Sequence, residues 1–442
     1  MGALAGLGRR TISGMLSATG QQFSDWSASY RVFSGSRFDP GAMLAVTRSA
    51  VTAHLEPQAP FIALMDDTLI KKRGRHVAGT SWRRDPLGPH FSTNLVWANR
   101  FLQISAALPE GTGAARAIPI DLTHCPSPRK PRRFAPAAEW EQYRARRKAT
   151  RISACGADRI ASLRSALDRD GQPGRKLLVA VDGGYSNATV FRALPERTGL
   201  IGRVRKDARL FGAPSPLEKA GRGRRRCYGE ALPTPEALRQ DAALPWITVP
   251  AFAAGRMFDF AVKEVGPVRW RAAGGRDLRL VIIRPLAYRP RHGARLLYRE
   301  AAYLLCTDLD VELSELVQAY VWRWEIEVNF RDEKTLLGAG AAQVRTASAV
   351  ERVPGLICAA YGMLHLAAFE SGAVECPRPA WQRPGRKERM STSMAMRLLR
   401  SELWGEALGV VNISDFAYQQ KTLAKSEKFL HSPASAILYA AT

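Results

Sequence analysis

FIALMDDT, at residues 61–68, is a run of five apolar residues that passes directly into two aspartates and a threonine. A second run, KLLVAVDGG at residues 176–184, has the same form and ends in Asp182 followed by glycines. Runs of this length and composition predict buried strands of one sheet. A carboxylate that follows a buried strand lies at the edge where open sheets keep their chemistry, although a single aspartate there could equally form a turn. The two runs together predict an α/β fold with acidic groups at one sheet edge.

Composition and apolar periodicity divide the chain into five segments. These are a helical N-terminal module (residues 1–58), the first part of a core (59–206), a β-rich insertion (207–300), the second part of the core (301–372), and a basic and then polar C-terminal region (373–442). Within the second part of the core, a strand is predicted at Tyr303–Cys306, a helix at Leu313–Leu337 and an apolar helix at Pro354–Phe369. The insertion is predicted from short strand-like runs between turns rich in Gly, Pro and Arg.

The chain carries a large excess of positive charge. Its 65 Lys and Arg residues against 40 Asp and Glu give a formal net charge of +25, which predicts a polyanionic partner. Residues 126–151 are proline-rich and basic, and are either part of such a surface or a solvated linker with a charged helix face. No apolar run reaches the roughly 18 residues that span a bilayer, and no signal peptide is evident, so we expect a cytoplasmic, nucleoid-associated protein with no membrane partner. The six cysteines form no Cys-x-x-Cys pair, which argues against a zinc site.

A third acidic group lies in the first helix predicted for the second part of the core. At about 100° per residue, Tyr320, Arg323, Glu327 and Lys334 fall within about 40° of one line along that helix, and Arg331 joins the same stripe. The alternative is a solvent-exposed face with ion pairs at i,i+4 spacing, since Glu327 has an arginine four residues away on either side. Carboxylates from two strand ends and one helix are what a pair of divalent cations needs for phosphoryl transfer.

These blocks together resemble the DDE transposases of bacterial insertion sequences. The helix matches, at each of its four positions, the signature Tyr-x2-Arg-x3-Glu-x6-Lys of one group within them. Residues 65–68 are similar to the first catalytic block of that group, and residues 179–184 are similar to the second. The resemblance covers about residues 61–369.

The resemblance implies an RNase H-like mixed-sheet core that is interrupted by a β-rich insertion. The spacing agrees, because 327 − 182 = 145 residues separate the last two carboxylates. The resemblance also implies that Asp67, Asp182 and Glu327 are the catalytic residues and hold two Mg²⁺ ions, for which Mn²⁺ substitutes. Asp66 is the alternative first ligand, and the adjoining Thr68 favours Asp67.

The expected partner is double-stranded DNA, both the element's ends and the target. The resemblance implies that Tyr320, Arg323 and Lys334 hold phosphates, and the helix stripe adds Arg331. It further implies an N-terminal module that binds terminal inverted repeats, a homodimer that pairs two ends, and strand cleavage and transfer by cut and paste. Many relatives form a hairpin intermediate, but the residues 183–185, GGY, stand where those relatives have a charged pair, so that route stays open. The alternatives are a domesticated DNA-binding protein without catalysis and an RNase H-like nuclease outside transposition.

Overall fold

The computed structural model describes residues 1–21, 23–35, 38–86, 88–89, 91–111, 113–214, 226–288, 293, 295–372 and 389–405. Its helices are α1 Gly2–Ala5, α2 Ile12–Ser17, α3 Ser27–Ser34, α4 Pro40–His54, α5 Ala137–Ala149, α6 Ile152–Arg169, α7 Ala188–Arg192, α8 Pro235–Gln240, α9 Leu313–Trp322, α10 Glu325–Thr335, α11 Ala347–Glu370 and α12 Thr392–Gly405. Its strands are β1 Phe61–Lys71, β2 Ser81–Arg84, β3 Leu95–Pro109, β4 Ala115–His124, β5 Leu177–Val181, β6 Thr198–Arg203, β7 Leu210–Phe211, β8 Ile247–Ala253, β9 Arg256–Trp270, β10 Asp277–Ile283, β11 Leu286–Tyr288, β12 Leu297–Arg299 and β13 Ala302–Cys306.

One mixed sheet of eleven strands forms the centre of the protein, in the order β2-β3-β1-β5-β6-β13-β10-β9-β7, with β4 paired to β3 and β8 to β9. Strands β1, β3 and β4 are antiparallel, whereas β5 is parallel to β1 and β6 is parallel to β5. Parallel neighbours need a crossover connection, and α5 and α6 supply it between β4 and β5. The strand order β4-β3-β1-β5-β6 is consistent with an RNase H-like fold. The predicted α/β class with a mixed sheet is confirmed.

The segment predicted as a separate insertion extends this same sheet. Strand β13 pairs with β6 on one side and with β10 on the other, and β9 continues the sheet beyond β10. Among the described residues, only β11 and β12 form a sheet of their own. Residues 207–300 are therefore rich in strands, but these strands lie largely within the central sheet. The free hydrogen-bonding edge of β6 pairs with β13, and the other edge of β13 pairs with β10. Sequence runs reveal strands, but not which edge a strand joins.

Alternating side chains of β1 face two different helical layers. Phe61, Ala63 and Met65 pack into the apolar cluster that contains residues of α6. Ile62 and Leu64 pack into the cluster that contains residues of α9 and α10. Since side chains alternate across a strand, even-numbered positions in this first half of β1 face α9 and α10, and odd-numbered ones face α6.

The N-terminal helices pack onto the core rather than forming a detached module. Helix α4 lies on α11 and β4, and the buried Thr47 hydroxyl donates to the Pro119 carbonyl at 2.7 Å. Residues of α1, α2 and α3 share an apolar cluster with α11 and α12. The C-terminal region predicted at 373–442 is described only at residues 389–405, where α12 lies.

Helix α11 has the length and mean hydropathy of a membrane span, with a value of 1.3 over its most apolar window. However, 72% of that window is buried inside the protein. The core helix of a globular protein passes the same test of length and composition, so this feature is weak evidence for a membrane.

Candidate active site

Two carboxylates meet where the parallel pairing of β1 with β5 ends, although Asp66 lies within β1, which continues to Lys71, and only Asp182 follows its strand. Met65 pairs with Val181, so Asp66 and Asp182 lie one position further along neighbouring strands. Both have the parity of the sheet face covered by α9 and α10. A turn orients Asp182, whose Oδ1 accepts a hydrogen bond from the Gly184 backbone N–H at 2.9 Å. A Cβ at Gly184 would lie 3.1 Å from that same oxygen.

The signature helix crosses this pair and contacts β1 at two points. Arg323 Nη1 lies 3.1 Å from Asp66 Oδ2, and the Lys334 ammonium donates to the Thr68 hydroxyl. Glu327 lies between these two contacts along the chain and is half-buried. The four-position signature therefore faces the strand through Arg323 and Lys334, with Glu327 close enough for its charge to act on Asp66.

The predicted single helix is divided at Arg323 and Trp324 into α9 and α10. The Trp324 N–H bonds to the Val321 carbonyl at 3.2 Å and the Glu327 N–H to the Trp324 carbonyl at 3.1 Å. These i to i+3 bonds make the helix tighter there than an ideal α-helix.

Asp66 lies in a field of negative charge that one arginine only partly offsets. Burial raises the pKa of Asp66 to about 8, with a further rise from the Asp182 charge and a smaller one from Glu327. The Arg323 guanidinium and the Asp67 backbone N–H act in the opposite direction. Burial and the charges of Asp182 and Glu327 together outweigh the effect of Arg323 on Asp66, which favours the binding of additional positive charge there.

Asp67 faces the other side of the sheet. Its Oδ2 lies 3.1 Å from Arg100 Nε, and its Oδ1 accepts a hydrogen bond from the buried Tyr185 hydroxyl at 2.9 Å. The expectation that Asp67 rather than Asp66 joins Asp182 and Glu327 does not fit this geometry, because one step along a strand reverses the side chain's direction. Thr68, whose position beside Asp67 favoured that residue in the sequence, lies on the same face of β1 as Asp66.

The structure does not bring Arg331 to the carboxylates. Its side chain is 65% exposed and its Nε pairs with the neighbouring Asp332 at 2.8 Å. Tyr320 is half-buried and packs against the apolar cluster under α9 and α10. Of the predicted phosphate-binding residues, Arg323 and Lys334 lie along β1 beside the carboxylates.

The residues fit divalent cations in their chemistry, because carboxylate oxygens are the hard ligands that Mg²⁺ prefers. In the part of the chain that the structure describes, no three Asp, Glu, His or Cys side chains are grouped closely enough to hold an ion together. Arg323 donates to Oδ2 of Asp66 and the Asp67 backbone N–H donates to its Oδ1, which leaves a further lone pair on each oxygen.

Buried polar residues of α10 bind β3 and anchor the helix to the sheet. Their role was not predicted from the sequence. The Asn329 amide donates to Ser105 Oγ at 3.0 Å, and its Oδ1 accepts from the Tyr361 hydroxyl at 3.1 Å. Glu333 is buried and accepts from Gln103 Nε2 at 3.2 Å. Burial raises the pKa of Glu333 to about 8. In sequence these residues have the polarity of a solvent face, so only the docking of α10 onto β3 reveals them.

The fold and the site define an α/β protein with an acidic centre where the parallel pairing of two strands ends, and with two cations, Arg323 and Lys334, beside it. A family model described as DDE superfamily endonuclease matches residues 1–256, which is more than half of the 442 residues, and the chain belongs to that family. The match includes Asp66 and Asp182, whereas Glu327 lies beyond it. No curated protein matches the chain. The family confirms a DDE-type protein whose function is of the nuclease or transposase kind with DNA as substrate; the narrower signature group stays a prediction.

Proposed function

We propose that this protein is the transposase of an insertion sequence, which cuts and joins the ends of its element in a metal-dependent reaction. One observation carries the proposal: Asp66 and Asp182 lie in register on one sheet face, and the helix with Arg323, Glu327 and Lys334 crosses that face. The family supplies the DNA substrate class, and the net charge of +25 supports a polyanionic partner.

In this proposal Asp66, Asp182 and Glu327 hold two Mg²⁺ ions, or Mn²⁺ in their place. When bound, such ions activate an attacking hydroxyl and stabilise the leaving oxygen. Asp66 replaces Asp67 as the first ligand because of its face on β1. Asp67, held by Arg100 and Tyr185, is then a positioning residue beneath the site.

Arg323 and Lys334 bind phosphate oxygens of the DNA beside the carboxylates. Arg323 suits this role because its guanidinium already lies among anionic groups and can donate two parallel hydrogen bonds. Lys334, in the last turn of α10, supplies a single positive charge. Tyr320 is the signature residue nearest the N-terminus. Arg331, which points to solvent, contributes only to the general basic surface.

The complete reaction needs two element ends held together, which we propose occurs in a homodimer on the nucleoid in the cytoplasm. The N-terminal helices and basic surfaces would bind the terminal inverted repeats. Excision by cut and paste follows, either directly or through a hairpin intermediate.

A cleavage assay tests the proposal. The substrate is a supercoiled plasmid that carries the gene with its flanking genomic DNA, incubated with full-length protein and Mg²⁺ or Mn²⁺. We expect cuts at the element boundaries that Glu327→Gln abolishes. No cleavage by the unaltered protein, or equal cleavage by Glu327→Gln, would overturn the proposal; metal-independent binding without cleavage would instead point to a domesticated DNA-binding protein.

A matched pair of variants tests the ligand assignment. The Asp66→Asn protein should give no cleavage product, whereas the Asp67→Asn protein should still cleave the DNA, since only Asp66 faces Glu327. The reverse result would restore Asp67 as the first ligand.

A further inference from the structure

Residues 126–151, here called the basic arm, hold an unusual share of the chain's charge. They contain nine Lys and Arg residues and two Glu residues, so their net charge is 9 − 2 = +7 of the total +25. The arm includes α5, in which no residue is buried. The nine cations are Arg129, Lys130, Arg132, Arg133, Arg144, Arg146, Arg147, Lys148 and Arg151.

The positive charge of the arm has no acidic partner among the residues that the structure describes. Over the described ranges, none of the nine cations forms an ion pair, although many other arginines do, such as Arg48 with Asp170 at 2.8 Å. Two of the nine lie over neighbouring aromatic rings, Lys130 over Trp140 at 5.8 Å and Arg133 over Phe134 at 5.5 Å. The cations near the C-terminus of α5 interact favourably with the helix dipole, but this does not account for the cluster of cations at residues 129–133.

Both ends of the arm attach at the sheet edge that carries the carboxylates. At its start, β4 ends at His124, which pairs with Phe101, and Phe101 pairs with Thr68 on β1. At its end, α6 begins with a turn in which Gly156 lies against the ring of Tyr185, the residue that binds Asp67. The arm therefore leaves and rejoins the core at the sheet edge where the β1–β5 pairing ends, and it rejoins on the face of Asp67.

We propose that the basic arm binds the phosphate backbone of the duplex on which the carboxylates act. This inference rests on the proposed function and deepens it, because it names the surface that holds DNA next to the site. Arginine suits a phosphate track, since its planar donors match phosphate oxygens. An anionic membrane is a poorer partner: α5 has Trp140 and Tyr143 but no Leu, Ile, Val or Phe with which to build an apolar face.

The test measures how duplex binding depends on salt. A fluorescein-labelled duplex of several helical turns is titrated with full-length protein in EDTA, at salt concentrations from roughly 50 to 200 mM. Each phosphate contact that the protein loses reduces the slope of log K against log salt by about 0.9. Replacing four cations of α5 by glutamine should reduce the slope by up to about 3.6. The variant is Arg144→Gln/Arg146→Gln/Arg147→Gln/Lys148→Gln.

Three matched controls accompany it. Arg144→Lys/Arg146→Lys/Arg147→Lys keeps the charge and should keep the slope. Arg169→Gln, an exposed cation at the far end of α6, should behave as the unaltered protein. Far-UV circular dichroism should be unchanged in every variant, because α5 buries no residue and glutamine is a good helix former.

The outcomes separate the two proposals. If the unaltered protein binds and cuts DNA but the glutamine variant keeps its slope, the role of the arm is overturned and the proposed function stands. If the slope falls as expected but the unaltered protein never cuts, the arm binds DNA and the proposed function fails. Retention of the protein on phosphatidylserine vesicles, with no duplex binding, would overturn the arm as a DNA surface.

Discussion

Replacing Glu333 by glutamine is expected to remove a pH dependence from the stability of the protein. Glu333 lies on the buried side of α10, against Gln103 and Cys358, and burial raises its pKa from an ordinary 4.5 to about 8. A folded-state pKa above the unfolded value means that the protonated acid stabilises the fold. This contribution is fully present below about pH 4.5 and is lost as pH rises through about 8.

The size of the effect follows from the same values. At about 1.4 kcal/mol per pH unit, the interval from 4.5 to about 8 sets a ceiling of about 5 kcal/mol on the loss of unfolding free energy. Water entry and relaxation around α10 lower this, and we expect a loss of about 2 to 3 kcal/mol between pH 5 and pH 9. Glu333→Gln keeps the shape and the contact with Gln103 but cannot ionise. Its unfolding free energy should therefore match the unaltered protein at pH 5 and exceed it at pH 9.

Urea unfolding followed by far-UV circular dichroism at both pH values measures the difference. The matched control is Glu351→Gln on α11, an exposed carboxylate whose removal should leave the pH dependence unchanged. If the curves of Glu333→Gln and the unaltered protein run parallel from pH 5 to pH 9, Glu333 is not the buried acid described above.

Three further changes test the groups around the site. Tyr185→Phe removes the 2.9 Å hydrogen bond to Asp67 and should lower the unfolding free energy by about 1 kcal/mol while cleavage persists; loss of all cleavage would return Asp67 to the catalytic set. Arg323→Gln leaves Asp66 without its cation, and its cost in unfolding free energy should be about 1 kcal/mol larger at pH 9 than at pH 6, because Asp66 ionises only above about pH 8; thermal unfolding at both pH values checks this, and an equal cost at both would contradict the ion pair. Asn329→Ala removes the hydrogen bonds to the buried Ser105 and Tyr361 hydroxyls and should cost about 1–3 kcal/mol in urea unfolding, whereas a neutral result would show that water replaces the amide.

The parts of the fold that depend on local pattern were predictable from the sequence. The apolar runs before Asp66 and Asp182 form buried strands of one sheet, as their composition indicates. What the pattern does not contain is pairing between distant segments. Strand β13 lies between β6 and β10, so residues 207–300 extend the central sheet, and this depends on edges that only the folded chain creates.

The site shows the same division at the level of single residues. The spacing of Arg323 and Lys334 placed both on one side of a helix, and both contact β1. The choice between Asp66 and Asp67 required the face of the strand, which is set by Ile62 and Leu64 packing under α9 and α10. Periodicity could have favoured Asp66, because it continues the even-numbered positions, but a strand buried on both faces gives no contrast to show which face meets which helix.

The way in which β13 joins β6 has a consequence for engineering. Asp66 and Asp182 are fixed by the pairing of β1, β5 and β6, while the chain leaves that group after Arg203 and returns only at Leu304. Lengthening such an excursion is cheap, since doubling a loop adds only about 0.6 kcal/mol of closure entropy. A reporter protein grafted between β11 and β12, which pair only with each other among the described strands, is expected to leave the positions of both aspartates unchanged.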